Sequence, residues 1–127
     1  MNLPDLKVLI AEDNIVNQKV ISFPFIKNNI IPKIANDGKI ALEMFKEEHF
    51  NLILMDINMP VMDGISCTKA IRKLSDAAKA NIPIIAITGN YENFTMDDFK
   101  KAGLDDYVQK PLDYDLLLST VKKHIFK

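Results

Sequence analysis

Three apolar runs punctuate the chain, each too short to be a helix: LKVLIA at 6–11, NLILM at 51–55 and IPIIAI at 82–87. Such runs predict strands buried on both faces, because a strand sends neighbouring side chains to opposite sides of its sheet. IPKIA at 31–35 and DYVQ at 106–109 are shorter and predict flanking strands. Between the runs the period changes. Ala41, Leu42 and Phe45, then Cys67, Ile71 and Leu74, then Leu117, Val121 and Ile125 fall at helical spacing, which puts each set on one face of a helix. Strand and helix alternate five times. That alternation predicts an α/β fold with a parallel sheet covered by helices on both faces, since parallel neighbours need crossover connections.

The polar punctuation supports these elements. Thr95 with Asp98 three residues on has the pattern of a capping box, and Gly103 suits a helix C-terminus. Asp113 and Asp115 fall at the positive end of the last helix, and Lys122, Lys123 and Lys127 toward its negative end. In Asp63-Gly64 the glycine frees a turn and the acid starts the next helix. SFPFI at 22–26 places Pro24 inside the first predicted helix, where the missing N–H deprives the Val20 carbonyl of its partner and should kink or end the helix early.

With 127 residues the chain fits one domain, 1–127, and a domain of this size buries roughly two thirds of the surface its unfolded chain exposes. Hydrophobic residues make up 48% and charged residues 26%, too apolar for a disordered chain. The net charge of −1 offers no basic footprint, so direct binding to nucleic acid is not expected. The single cysteine, Cys67, can form no internal disulfide or metal-ligand pair, which fits a reducing compartment. MNLPDLK at 1–7 lacks signal-peptide character, and no apolar run approaches the ~20 residues of a membrane span. A cytoplasmic protein without membrane insertion, or a cytoplasmic fragment of a larger one, is expected.

Ligands of open α/β sheets bind beyond the carboxyl ends of the strands, where strand order reverses. Those ends carry Glu12-Asp13, Asp56, Thr88 and Lys110. Three carboxylates, a hydroxyl and an ammonium would share one rim. Two unit charges ~4 Å apart interact by roughly 4 kcal/mol at an effective dielectric near 20, so a cation belongs among the acids. Mg²⁺ suits the set, held by Asp13 and Asp56 with Glu12 acting directly or through water, and it would neutralise an incoming phosphoryl group. Each residue also has a plainer reading: Asp13 as the cap of a helix starting near Asn14, Asp56 as a turn acid, Thr88-Gly89-Asn90 as a loop. Asp105-Asp106 reads as a solvated turn.

Glu12-Asp13, Asp56, Thr88 and Lys110-Pro111, together with MPVMDG at 59–64 and AGLDDYVQKP at 102–111, resemble the receiver domain of two-component response regulators. AEDNIVNQKV at 11–20 and DINMPVMDG at 56–64 are most similar to receivers of hybrid histidine kinases and phosphorelays. The resemblance implies a doubly wound, flavodoxin-like (βα)5 fold with strand order 2-1-3-4-5 and five helices. It implies that Asp56 accepts a phosphoryl group from a histidine kinase or histidine phosphotransfer protein. Glu12, Asp13, Asp56 and the Asn58 backbone carbonyl would hold Mg²⁺ or Mn²⁺, while Thr88 and Lys110 would engage phosphoryl oxygens. Water would later remove the acyl phosphate, so the chain would act as a signalling phosphoacceptor and not as an enzyme on other substrates.

The resemblance further implies that Thr88 and Tyr107 form a switch at the fourth helix and fifth strand, with half-buried sheet packing as the plainer reading of Tyr107. That surface could support a weak phosphorylation-dependent dimer. Asn58 and Asn90 would flank the path of attacking water and set the lifetime of the phosphorylated state. Phe23, Pro24 and Phe25 either reshape the surface where a phosphodonor docks, or leave Phe23 and Phe25 in the core with Pro24 a tolerated kink. Three rivals are weaker. A phosphohydrolase of the haloacid dehalogenase type needs a second acid where Asn58 stands, and a flavodoxin-like cofactor site needs a phosphate loop where Glu12-Asp13 would repel the ligand. A pseudo-receiver would not need Asp56, Thr88 and Lys110 together.

Overall fold

The strands are β1 (Val8–Ala11), β2 (Lys33–Ala35), β3 (Leu52–Asp56), β4 (Ile84–Thr88) and β5 (Asp106–Gln109), all parallel in the order 2-1-3-4-5. The helices between and after them are α1 (Ile15–Lys27), α2 (Gly38–Glu47), α3 (Gly64–Arg72), α4 (Ala77–Ala80), α5 (Met96–Ala102) and α6 (Tyr114–Ile125). This computed structural model describes residues 5–89 and 95–126, so Asn90 and Lys127 lie outside the described residues.

Every residue of β1, β3 and β4 is buried, as the three apolar runs require, while the more polar β2 and β5 form the sheet edges. Alternate strand residues feed two cores. Leu9, Ala11, Ile53, Met55 and Ala86 pack with Ala41 and Phe45 of α2, Cys67 and Ile71 of α3 and Phe99 of α5. Val8, Ile10, Leu54, Ile85 and Ile87 face the other way, against Ile21 and Phe25 of α1 and Leu117 and Val121 of α6. The chain leaves β1 for β2 on one side and returns to β3 on the other, so the carboxyl ends of β1 and β3 flank the crevice where strand order reverses.

The helix ends follow the punctuation. Thr95 and Asp98 form a reciprocal capping box, Gly103 ends α5 at φ 103°, Asp63 caps α3 and Asp113 caps α6. The expectation of five helices needs correction: Asp76 accepts the N–H groups of Ala78 and Lys79 and starts an additional turn, α4. Lys79 anchors it by donating from Nζ to the carbonyls of Phe45 and Glu48, at 2.7 and 2.9 Å. Four residues are too few to display an apolar period, so the pattern was silent there.

Pro24 does not end α1. The helix continues to Lys27 with Pro24 buried and its carbonyl accepting from Asn28 Nδ2 at 2.7 Å. One helical bond is lost at Val20, and packing of Ile21 and Phe25 into the core holds the helix regardless. Phe25 is fully buried, but Phe23 is half exposed, its ring 5.4 Å from that of Tyr114. The expectation of Phe23 as a core residue is therefore corrected.

Candidate functional site

β1 delivers Glu12 and Asp13 to the rim, β3 ends in Asp56, and the β5–α6 connection supplies Lys110. Glu12, Asp13 and Asp56 can each place one carboxylate oxygen within 4.8 Å of the others. Lys110 Nζ stands 3.1 Å from Glu12 Oε1 and 3.7 Å from Asp56 Oδ1. Glu12 is wholly buried, Asp56 nearly so, and Asp13 is exposed. Asn14, not Asp13, caps α1: its side chain accepts from the Asn17 N–H. The capping alternative for Asp13 is thus removed, and its carboxylate is available to the cluster.

One ammonium pairs with two members of a three-carboxylate cluster, and the imbalance is visible in Asp56. Burial, then the charge of Glu12, push its carboxyl from 3.8 up to about 7, against the pull of Lys110 and of the Asn58 backbone N–H. Such a group is a poor carboxylate until a cation joins it. The donor set is hard oxygen, open on the Asp13 side, and fits a small divalent ion better than a soft metal.

The loop after β3 holds Asp56 from below. Gly64 N–H donates to the Ile57 carbonyl at 2.9 Å, and a Cβ on Gly64 would lie 2.2 Å from the Asp56 carbonyl oxygen. Only glycine permits that approach. Met62 N–H closes a three-residue turn onto the Pro60 carbonyl at 2.7 Å, which holds the exposed Val61 at φ 68°, and the Met62 carbonyl accepts from Gly38. Thr88 is buried at the end of β4, one residue past Ile87, whose Cα pairs with that of Asp56. The Lys110 N–H donates to the Thr88 carbonyl at 2.7 Å, and the Lys110-Pro111 bond is cis.

The sequence profile of the response regulator receiver domain matches residues 8–122, across which this arrangement is built. The chain belongs to that family. It is 41% identical over 122 residues to hybrid signal transduction histidine kinase M of Dictyostelium discoideum, a match covering 94% of this chain and 5% of that protein. A second Dictyostelium hybrid kinase, I, is 40% identical over 126 residues, covering 95% of this chain and 7% of that protein. The chain therefore spans only a small fraction of the length of these relatives. Among solved structures, the magnesium-bound receiver domain of a Pseudomonas aeruginosa sensor histidine kinase superposes with a TM-score of 0.86 at 31% identity, covering 96% of this chain and 98% of that one. The Saccharomyces cerevisiae receiver domain of Ssk1, solved with the histidine phosphotransfer protein Ypd1, gives 0.84 at 28% identity, covering 99% and 92%.

In this receiver Tyr107 sits on the edge strand, 37% exposed, and lines a surface groove with Leu116 and Lys123. About two thirds of its surface is covered, which agrees with the reading of Tyr107 as half-buried sheet packing. Asp105-Asp106 is not a solvated turn. Asp105 Oδ2 accepts from Arg72 Nη2 at 2.9 Å and from the Ile84 N–H at 2.8 Å. Asp106 Oδ2 lies 2.8 Å from His124 Nε2, while its Oδ1 accepts from the Tyr107 N–H. Burial opposes ionisation of Asp106, but the hydrogen bonds from His124 and Tyr107 outweigh it and hold the carboxyl below its usual range. Sequence reasoning also passed over Gln18, although it lies inside the stretch AEDNIVNQKV, because nothing local shows that an uncharged helix residue reaches the Glu12 carbonyl and Asn36. No described helix is long and apolar enough to cross a membrane.

Proposed function

We propose that this receiver takes a phosphoryl group from a phosphohistidine onto Asp56 and thereby changes its surface to pass a signal. The carrying observation is the convergence of Glu12, Asp13 and Asp56 beyond the ends of β1 and β3, with Lys110 beside Glu12 and Asp56. Glu12, Asp13, Asp56 and the Asn58 backbone carbonyl would hold Mg²⁺ or Mn²⁺, which when bound supplies positive charge to the carboxylates and to the phosphoryl oxygens. An Asp56 oxygen attacks phosphorus in line, the P–N bond to imidazole breaks, and an acyl phosphate forms. Lys110 pairs with one phosphoryl oxygen and the Thr88 hydroxyl donates to another. These groups contribute by position and charge compensation, which carry most phosphoryl-transfer catalysis. Water then attacks phosphorus, releasing inorganic phosphate and restoring Asp56, with Asn58 and Asn90 setting the rate.

The partner is a histidine kinase or a histidine phosphotransfer protein. Ile15, Val16, Phe23 and Ile26 leave an exposed apolar face on α1, which starts two residues after Asp13, and such a face suits docking of a helical phosphodonor. Engagement of phosphate by Thr88 would bias Tyr107 and the groove beside α6, since a few kcal/mol of differential stabilisation is enough to shift a two-state equilibrium.

Intact mass after incubation with a small acyl phosphate tests the reading. Gain of one phosphoryl group is expected, dependent on Mg²⁺ and lost in Asp56→Asn. An undiminished gain in Asp56→Asn, or no gain from either a small donor or a phosphohistidine protein, would overturn it.

A further inference from the structure

Glu12 is the only described carboxylate that is wholly buried, and every polar group it owns is engaged. Its N–H donates to the Ala35 carbonyl of β2 at 3.0 Å. Its Oε1 faces Lys110 and its Oε2 accepts the Asn14 N–H at 3.1 Å. Its carbonyl accepts from Gln18 Nε2 at 2.7 Å, and the same amide nitrogen donates to Asn36 Oδ1 at 2.9 Å. Gln18 therefore spends both amide hydrogens on tying the second turn of α1 to the ends of β1 and β2.

The Glu12 carbonyl and the Asp13 N–H belong to one planar peptide unit, so pinning that oxygen fixes the plane from which Asp13 departs. Asp13 itself is exposed and makes no hydrogen bond in the described structure that would aim it. We propose that Gln18 is a positioning residue of the acid pair: by holding the Glu12 carbonyl and Asn36 together, it orients the Glu12-Asp13 peptide so that the Asp13 carboxylate joins Glu12 and Asp56 around the divalent ion. The role rests on the metal-binding reading above, and Gln18 touches neither ion nor phosphoryl group.

Gln18→Met keeps the volume and removes both donors. Partners that orient metal-binding groups typically contribute about 10- to 100-fold in metal affinity, and the lower end is expected for a half-buried side chain acting through a backbone. Titration calorimetry with MgCl₂ at fixed temperature and pH should therefore show a dissociation constant raised about tenfold in Gln18→Met. Asn36→Ala, which removes only the exposed arm, should show a smaller rise. Ile71→Val, which loosens the opposite core without touching the rim, should keep the wild-type value. Amide hydrogen exchange without metal should be faster at the bonded N–H groups of Glu12 and Asn14 in Gln18→Met and unaltered there in Ile71→Val.

A folded Gln18→Met with wild-type Mg²⁺ affinity overturns the proposal, as does an equal loss in Ile71→Val. Should Gln18→Met fail to fold, Gln18→Ala, which cannot overpack, carries the same expectations and the same refutation. Wild-type protein that takes up no Mg²⁺ overturns the reading underneath, and exchange at Glu12 and Asn14 then decides the positioning role by itself.

Discussion

Asp56 shows how one residue can set function against stability. In the folded chain its carboxyl titrates at about 7 in place of 3.8, so the unfolded chain releases that proton first. The stabilising contribution of the protonated group is complete below about pH 4 and is lost as pH rises through about 7; at 1.36 kcal/mol per pKa step it amounts to on the order of 4 kcal/mol. Without divalent ions, the wild-type chain should lose at least ~2 kcal/mol more stability between pH 5 and pH 8 than Asp56→Asn does, as read by urea unfolding. Equal slopes would mean that the acid cluster is not strained. Gly64 is a second single-residue constraint, since any Cβ there meets the Asp56 carbonyl at 2.2 Å. Gly64→Ala should cost about 1–3 kcal/mol by displacing the loop under the site, and an unchanged melting curve would refute that close approach.

At the scale of an element, α1 is informative because its apolar residues lie all around it. Ile21 and Phe25 belong to the core, while Ile15, Val16, Phe23 and Ile26 remain exposed. Pro24 lies on the buried side, so its substitution tests the helix more than the surface. Pro24→Ala should regain the bond to the Val20 carbonyl, worth up to ~3 kcal/mol in a helix interior, less the packing lost, for a net gain of about 1 kcal/mol. Denaturation that shows a loss would mean that the pyrrolidine ring contributes more by packing than it removes from the helix. Phe23, whose exposed ring lies tilted beside that of Tyr114, is the better probe of docking. Phe23→Ala should slow phosphoryl gain from a phosphohistidine protein about tenfold relative to gain from a small acyl phosphate, in line with loss of a buried aromatic anchor. An unaltered ratio would remove α1 from the docking surface.

Across the whole molecule, Arg72 joins parts that sequence keeps far apart. Its Nε donates to the Gly103 carbonyl at 2.9 Å, its Nη1 to the carbonyls of Ala80 and Ile82 at 2.9 and 2.6 Å, and its Nη2 to Asp105. α3, the turn after α4, the end of α5 and the entry to β5 therefore meet on one guanidinium. Arg72→Met should cost roughly 2–4 kcal/mol in chemical unfolding, because several carbonyls lose a charged donor together. A loss below 1 kcal/mol would show that water replaces the guanidinium freely.

The strands were legible in the sequence because burial on both faces demands uninterrupted apolar runs, and the placement of the candidate residues Glu12, Asp13, Asp56, Thr88 and Lys110 on one rim was legible because all stand at strand ends. Thr95, Gly103 and Asp113 likewise announced helix ends through local hydrogen bonding, which needs no distant partner. What tertiary structure alone decided was everything that depends on who arrives from elsewhere in the chain. Asn14 took the cap that freed Asp13, Phe23 went to the surface while Phe25 went inside, and Asp105 and Asp106 met Arg72 and His124 in place of water. Gln18 found Glu12 and Asn36 only when α1 folded back over β1 and β2. Periodicity records which face of an element is buried, but a polar side chain's partner is fixed by the packing of whole elements, and that leaves no period to read.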